Sequence, residues 1–147
     1  MLKHSVSKGS VIQQDGKSEF LSQMTPFFKM GVEYVGIINK NGKLEDVLFK
    51  QVDLDLTKEK KELFFMTLQL HNSMHSDFDD EFGQVKHITI ERQKSRFVLI
   101  KKDEGILLIK LNKSANPFFI MDKIPGILDS YKQLLKISNG VVHHEYL

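Results

Sequence analysis

Two short apolar runs, Phe97–Ile100 and Ile106–Leu111, the second broken only by Lys110, stand almost back to back in this 147-residue chain. A strand that alternates apolar and polar residues needs cover on one face, whereas a continuously apolar strand must be covered on both. These two runs therefore demand a sheet with a layer of structure on each side. The link between them, Asp103-Glu104-Gly105, is far too short for a parallel crossover, so the pair is antiparallel. Just upstream, Ile88 and Ile90 alternate with His87, Thr89 and Glu91, the pattern of a half-exposed strand. It joins the next strand through a short turn at Gln93-Lys94-Ser95. The three strands make a meander.

A second strand pair lies earlier. Val32–Ile38 and Leu44–Lys50 flank Asn39-Lys40-Asn41-Gly42-Lys43, where Asn41-Gly42 supplies the positive φ of a tight turn. The acidic start of the return strand, Glu45-Asp46, suits a sheet edge. Between the hairpin and the meander, Lys58–Glu81 reads as one long helix, with Thr57 or Asp55 as its cap and Gly83 as its stop. Leu63, Met66, Leu70, Met74 and Phe78 form an apolar stripe at helical spacing, expected to face the core. Phe64, Leu68, His71 and His75 form a second stripe, and Phe65 widens the surface. One sheet face needs only one stripe, and the excess predicts two-sided burial, with a second subunit as the simplest cover and a helix sunk deeply in the chain's own core as the other reading.

The cover for the other sheet face comes from both ends of the chain. Phe20, Leu21, Met24, Phe27 and Phe28 follow a Ser18 cap at helical spacing. Pro26 kinks this helix or ends it near Thr25, and Gly31 stops it. A closing helix is expected over 125–137, with Pro125 in its first turn and Ile127, Leu128, Tyr131, Leu134 and Leu135 as its stripe. Pro117–Ile120 adds an extended piece or docks on the core, and Asn139-Gly140 ends the helix. The expected fold is α+β, a five-stranded antiparallel sheet with helices on both faces, in the order α-β-β-α-β-β-β-α. Residues 18–140 form the domain. Residues 1–17 read as a flexible N-terminal arm with a short strand at Ser10–Gln14, and 141–147 as a C-terminal tail.

Composition narrows the function classes. The chain has no Cys, which removes disulfides, thiolate metal sites and a cysteine nucleophile. A formal charge of +2 gives no case for a nucleic-acid partner, and no aromatic residues are interleaved with the basic ones. No apolar run approaches the roughly 20 residues of a membrane span, and no secretory leader is visible. A cytoplasmic location is the default. Phosphate-loop, dinucleotide-binding and nucleophile-elbow motifs are missing.

The order helix, hairpin, helix, meander, helix over roughly residues 18–137 resembles the Roadblock/dynein-light-chain fold, a relative of the longin and profilin-like folds. Shorter stretches are similar to a family of small proteins of ammonia-oxidising archaea, with no assigned activity to carry over: Glu62-Leu63-Phe64-Phe65-Met66, Phe78-Asp79-Asp80-Glu81-Phe82-Gly83-Gln84-Val85, Arg92-Gln93-Lys94 before Phe97–Ile100, and Lys123-Ile124-Pro125. The Roadblock resemblance implies a dimer that pairs the long helix and the following strand across a two-fold axis, and a role as a scaffold, or as a regulator or platform for small GTPases. Carried onto this sequence, the implied dimer surface is Phe64, Leu68 and His71 with the strand His87, Thr89 and Glu91.

Three clusters are candidates for chemistry. His71, His75 and Asp79 share a helix face at spacings of four, where a divalent ion could be held. Position 72 is Asn and no glutamate base follows His71, so the metalloprotease pattern is not met. Asp77, Asp79, Asp80 and Glu81 crowd a helix C-terminus, where acids oppose the dipole; they lack the alternating ligands of a calcium loop. Arg92, Lys94 and Arg96 concentrate positive charge at a hairpin tip. Residues 84–113 carry a net +5 and residues 45–83 a net −6, so a near-neutral chain has opposed charged regions that can steer a protein partner. The expected function is a non-enzymatic, dimeric interaction or scaffold module without a cofactor, bound to a small GTPase or signalling protein through Arg92, Lys94 and Arg96. A small-molecule sensor of PAS or profilin-like build is the alternative, and a metal-dependent enzyme the third class.

Overall fold

The computed structural model describes the backbone of residues 12–15 and the whole of residues 19–129. Among these residues six antiparallel strands form one sheet: β1 Ile12–Asp15, β2 Val32–Ile38, β3 Leu44–Lys50, β4 Ile88–Glu91, β5 Arg96–Lys102 and β6 Gly105–Leu111, in the spatial order β1-β3-β2-β6-β5-β4. The five expected strands are all present and a sixth, β1, joins one edge. It pairs Ile12–Asp15 with Val47–Lys50, leaving the Glu45-Asp46 end of β3 beyond its reach. The acidic start that suggested an edge is thus the part of β3 that still lies at one. Asp46 itself is buried and accepts a hydrogen bond from the Val47 amide at 2.8 Å.

The β2–β3 turn shows why Gly follows Asn41. Gly42 adopts φ 79°, and Asn39 Oδ1 accepts from the amides of Asn41 and Lys43 at 2.9 and 3.1 Å. A side chain at 42 would also stand 3.0 Å from the Met66 Cα, so the turn packs directly under the helix above it. The two-residue β5–β6 turn puts Asp103, not a glycine, at φ 56°. Glycine falls instead at 105, where a Cβ would lie 1.9 Å from the Ile38 carbonyl oxygen.

Strand alternation sorts the core into two layers. Val35, Ile37, Leu48, Val98, Ile100, Leu107 and Ile109 face one side, under α1 (Glu19–Ser22), a 3-10 helix Thr25–Met30 and the closing helix α4 (described over 117–129). Tyr34, Ile38, Val47, Phe97, Leu99, Ile106 and Leu108 face the other, under α2 (Lys58–His75). Thr57 caps α2, its hydroxyl accepting from the Lys60 amide at 3.2 Å.

Three helix expectations are corrected. The first helix stops at Ser22, and Pro26 enters the following 3-10 helix near its start, where its missing N–H costs no bond. The long helix ends at His75 rather than Glu81, continuing as a 3-10 turn Ser76–Phe78 and a short α3 (Asp79–Phe82). Ser and Asp residues favour local side-chain bonding over helical continuation, and the carboxylates oppose the helix dipole. The closing helix starts at 117, so Pro117 takes the first-turn role assigned to Pro125, and Pro125 lies inside the helix on its exposed side. The Ser18 cap, Tyr131, Leu134, Leu135, the Asn139-Gly140 stop and the 141–147 tail lie outside the described residues.

Candidate interaction surface

The face of α2 turned to the sheet is the reverse of the one its sequence suggested. Phe65 and Leu68 are buried, and Phe64 packs edge-on against Phe97 with ring centroids 5.4 Å apart. The heavier stripe points away from the chain: Leu63, Met66, Leu70, Met74 and Phe78 are between 52% and 62% exposed. The rotation is fixed from outside the helix. Gly42 closes on Met66, Lys61 pairs with Asp53 at 2.7 Å, and the Gln69 side chain donates to the Glu104 carbonyl at 3.4 Å. Leu68 therefore belongs to the chain's own core and is unavailable to a partner, whereas His71 is exposed.

The residues of the expected dimer surface fall on two faces of the sheet. Phe64 and His71 lie on the α2 side. On β4, Ile88 and Ile90 pack toward α2, while Thr89 reaches Met121 of α4, with Oγ1 and Sδ 3.7 Å apart, and Glu91 turns to the same side. His87 is exposed and lines a cleft of about 820 Å³ that also takes in Ile100, Phe118, Met121 and Leu128. What joins the two faces is the backbone edge of β4, the last strand of the sheet.

At the β4–β5 tip the basic residues have unequal roles. Glu91 accepts from Arg96 Nε at 2.5 Å and from Arg96 Nη2 at 3.2 Å, and also from Lys113 Nζ, which in turn donates to the Arg92 carbonyl at 2.8 Å. The Arg96 hydrogen bonds, and then those of Lys113, hold the Glu91 carboxyl down at about 2. Arg96 is half-buried and held in this network, whereas Arg92 and Lys94 are exposed without an ion pair among the described residues.

Beside that tip runs a groove of about 940 Å³ between the N-terminal half of α2, the loop 51–57 and the hairpin. Leu54, Leu63, Phe64 and Phe97 give it an apolar floor, and Lys60, Arg92 and Lys94 a basic rim. Nothing in the local pattern of 51–57 signals this role, which arises because the loop folds back against the tip of a strand some forty residues later in the sequence.

The metal candidate does not assemble as three ligands. The His71 and His75 rings lie 5.0 Å apart, Asp79 opens α3 beyond the 3-10 turn, and no group of three metal-ligating side chains is found among the described residues. No described helix is long and apolar enough to cross a membrane.

No protein-family model matches the chain, and no curated protein is similar to it in sequence. Solved structures do match. MglB of Myxococcus xanthus superposes with a TM-score of 0.64 over 83% of this chain and 98% of its own, at 10% identity. The Roadblock/LC7 domain from Streptomyces avermitilis gives 0.55 over 71% and 86%, at 11% identity. This chain has the Roadblock/LC7 fold. An MglB solved in a tetrameric arrangement gives 0.56 over 76% and 83%, at 8% identity. At such identities the shared property is the fold alone.

Proposed function

We propose that this chain is a non-enzymatic protein-interaction module that works as a homodimer in the cytoplasm and serves a small GTPase or another signalling protein. One observation carries the reading: four large apolar side chains, Leu63, Met66, Leu70 and Met74, stand in line on the outer face of α2, continued by Phe78 in the 3-10 turn that follows. A contiguous apolar stripe of this kind on a small domain marks a protein interface. The tetrameric MglB is a protein of the same fold that self-associates. The GTPase partner follows from the Roadblock resemblance, and the exposed Arg92 and Lys94 are the residues offered to it. The small-molecule alternative has less support, since Phe64, Phe65 and Leu68 fill the layer between α2 and the sheet.

The test uses two leucines on opposite sides of α2. Leu70→Asp changes an exposed position and should leave a folded monomer by sedimentation and circular dichroism. Leu68→Asp places a carboxylate in the core and should cost more than about 3 kcal/mol of stability. A wild-type chain that sediments as a monomer at every concentration would refute the homodimer. For the partner, retention of a small GTPase on the immobilised dimer should depend on the bound nucleotide and weaken in Arg92→Glu/Lys94→Glu; equal retention by the variant would remove these residues from the contact.

A further inference from the structure

We propose that His71 and His75 chelate a borderline divalent transition metal, copper(II) most tightly, at the C-terminal end of α2. The site lies within one chain and does not depend on the homodimer. Both residues belong to α2, where a spacing of four sets their side chains one above the other on the helix surface. Their ring centroids are 5.0 Å apart. A metal–nitrogen bond of roughly 2.0–2.1 Å puts each ring centre about 3.2 Å from a shared ion. Rings 5.0 Å apart then subtend about 100° at that ion, between the roughly 90° of a tetragonal site and the roughly 109° of a tetrahedral one. The helix backbone thus already holds the pair at chelating distance. Both residues are exposed, so each ring is free to turn a nitrogen toward the ion.

The surroundings favour a cation. The pair brackets the last turn of α2, where carbonyl groups without helical partners carry partial negative charge. Asp77, Asp79, Asp80 and Glu81 follow within six residues of His75, and no Lys or Arg occurs between Lys61 and Lys86. Neither the two histidines nor these four acids enter an ion pair among the described residues. A bound cation offsets the acids that otherwise oppose the helix dipole. Imidazole suits copper, zinc and nickel alike, and for the same donors the order of complex stability places copper(II) first. The 3-10 turn Ser76–Phe78 carries Asp79 out of the set, so water fills the remaining positions on the ion.

The test titrates copper(II) chloride into the full-length chain and reads binding by calorimetry and by the nitrogen splitting in electron paramagnetic resonance. His4, His143 and His144 are silenced first by changing all three to Gln. This variant should take up one copper(II) per chain, with a melting temperature raised by the metal. Adding His71→Gln or His75→Gln should weaken binding about tenfold or more, since losing one ring ends the chelate, and should reduce the splitting to that of fewer nitrogens. Exchanging two neighbours, His75→Ser with Ser76→His, keeps the number of histidines but changes the spacing from four to five. It should weaken binding as much as the loss of a ring. Circular dichroism of each variant checks that the fold is kept. No uptake by the variant silenced at 4, 143 and 144 would overturn the site, as would one ion per two chains or affinity unchanged without His71 and His75. Equal affinity after the exchange would overturn the chelate.

Discussion

At the scale of single residues, the exposed network at the β4–β5 tip and a buried hydroxyl make separate predictions. The Glu91 carboxyl titrates at about 2 when folded against an ordinary 4.5. A depressed folded value means that its contribution to stability is complete above the ordinary value and is lost as pH falls from 4.5 toward 2. The Glu91→Gln variant should therefore lose less stability than the wild type across that window, measured by urea unfolding at each pH. Because the pair lies at the surface, the effect should also shrink with added salt. Tyr34 presents the opposite situation. Its ring is buried, its hydroxyl has no hydrogen-bond partner among the described residues, and burial, followed by the nearby Asp53 charge, pushes the phenol well above its usual range. Tyr34→Phe removes an unsatisfied buried group and should raise stability by about 1 kcal/mol in equilibrium unfolding; a loss of that size would show that the hydroxyl is satisfied in solution.

At the scale of elements, two close approaches hold the layers in register. The turn between β2 and β3 touches the backbone of α2 through Gly42, and the start of β6 touches the end of β2 through Gly105. Gly105→Ala would force the paired strands β2 and β6 apart at their Ile38–Ile106 end and should cost about 3 kcal/mol by denaturant midpoint. Most elements can be located from local pattern. The hairpin strands Val32–Ile38 and Leu44–Lys50 are found at their expected limits because two short apolar-rich runs and the Asn-Gly turn between them are local signals. The cap at Thr57 is legible for the same reason. Legibility fails where two local readings are equally good. Pro117 and Pro125 both fit a first helical turn, and the choice fell to the earlier one, which lets Ile120, Ile124 and Leu128 all reach the core.

At the scale of the whole molecule, one sheet is covered on both faces while a third apolar surface stays exposed on the outer side of α2. If a second copy covers it, the melting temperature should rise with protein concentration, since association stabilises only the folded chain. The Leu70→Asp variant should melt at a temperature independent of concentration. A wild type with concentration-independent melting would count against the dimer at this scale.

The sequence by itself determined the fold class, the antiparallel meander, the two-layer cover and the surplus of apolar surface on the long helix. Each depends on residue spacing within one element or across one short turn. Tertiary structure alone decided which stripe of that helix faces out. Both stripes suit a buried helix face, so the local pattern is close to degenerate. Gly42, Asp53 and the Glu104 carbonyl, all outside the helix, fix its rotation. Leu68, part of the dimer surface the resemblance implies, is buried for the same reason: these distant contacts turn its stripe inward and Leu63, Met66, Leu70 and Met74 outward.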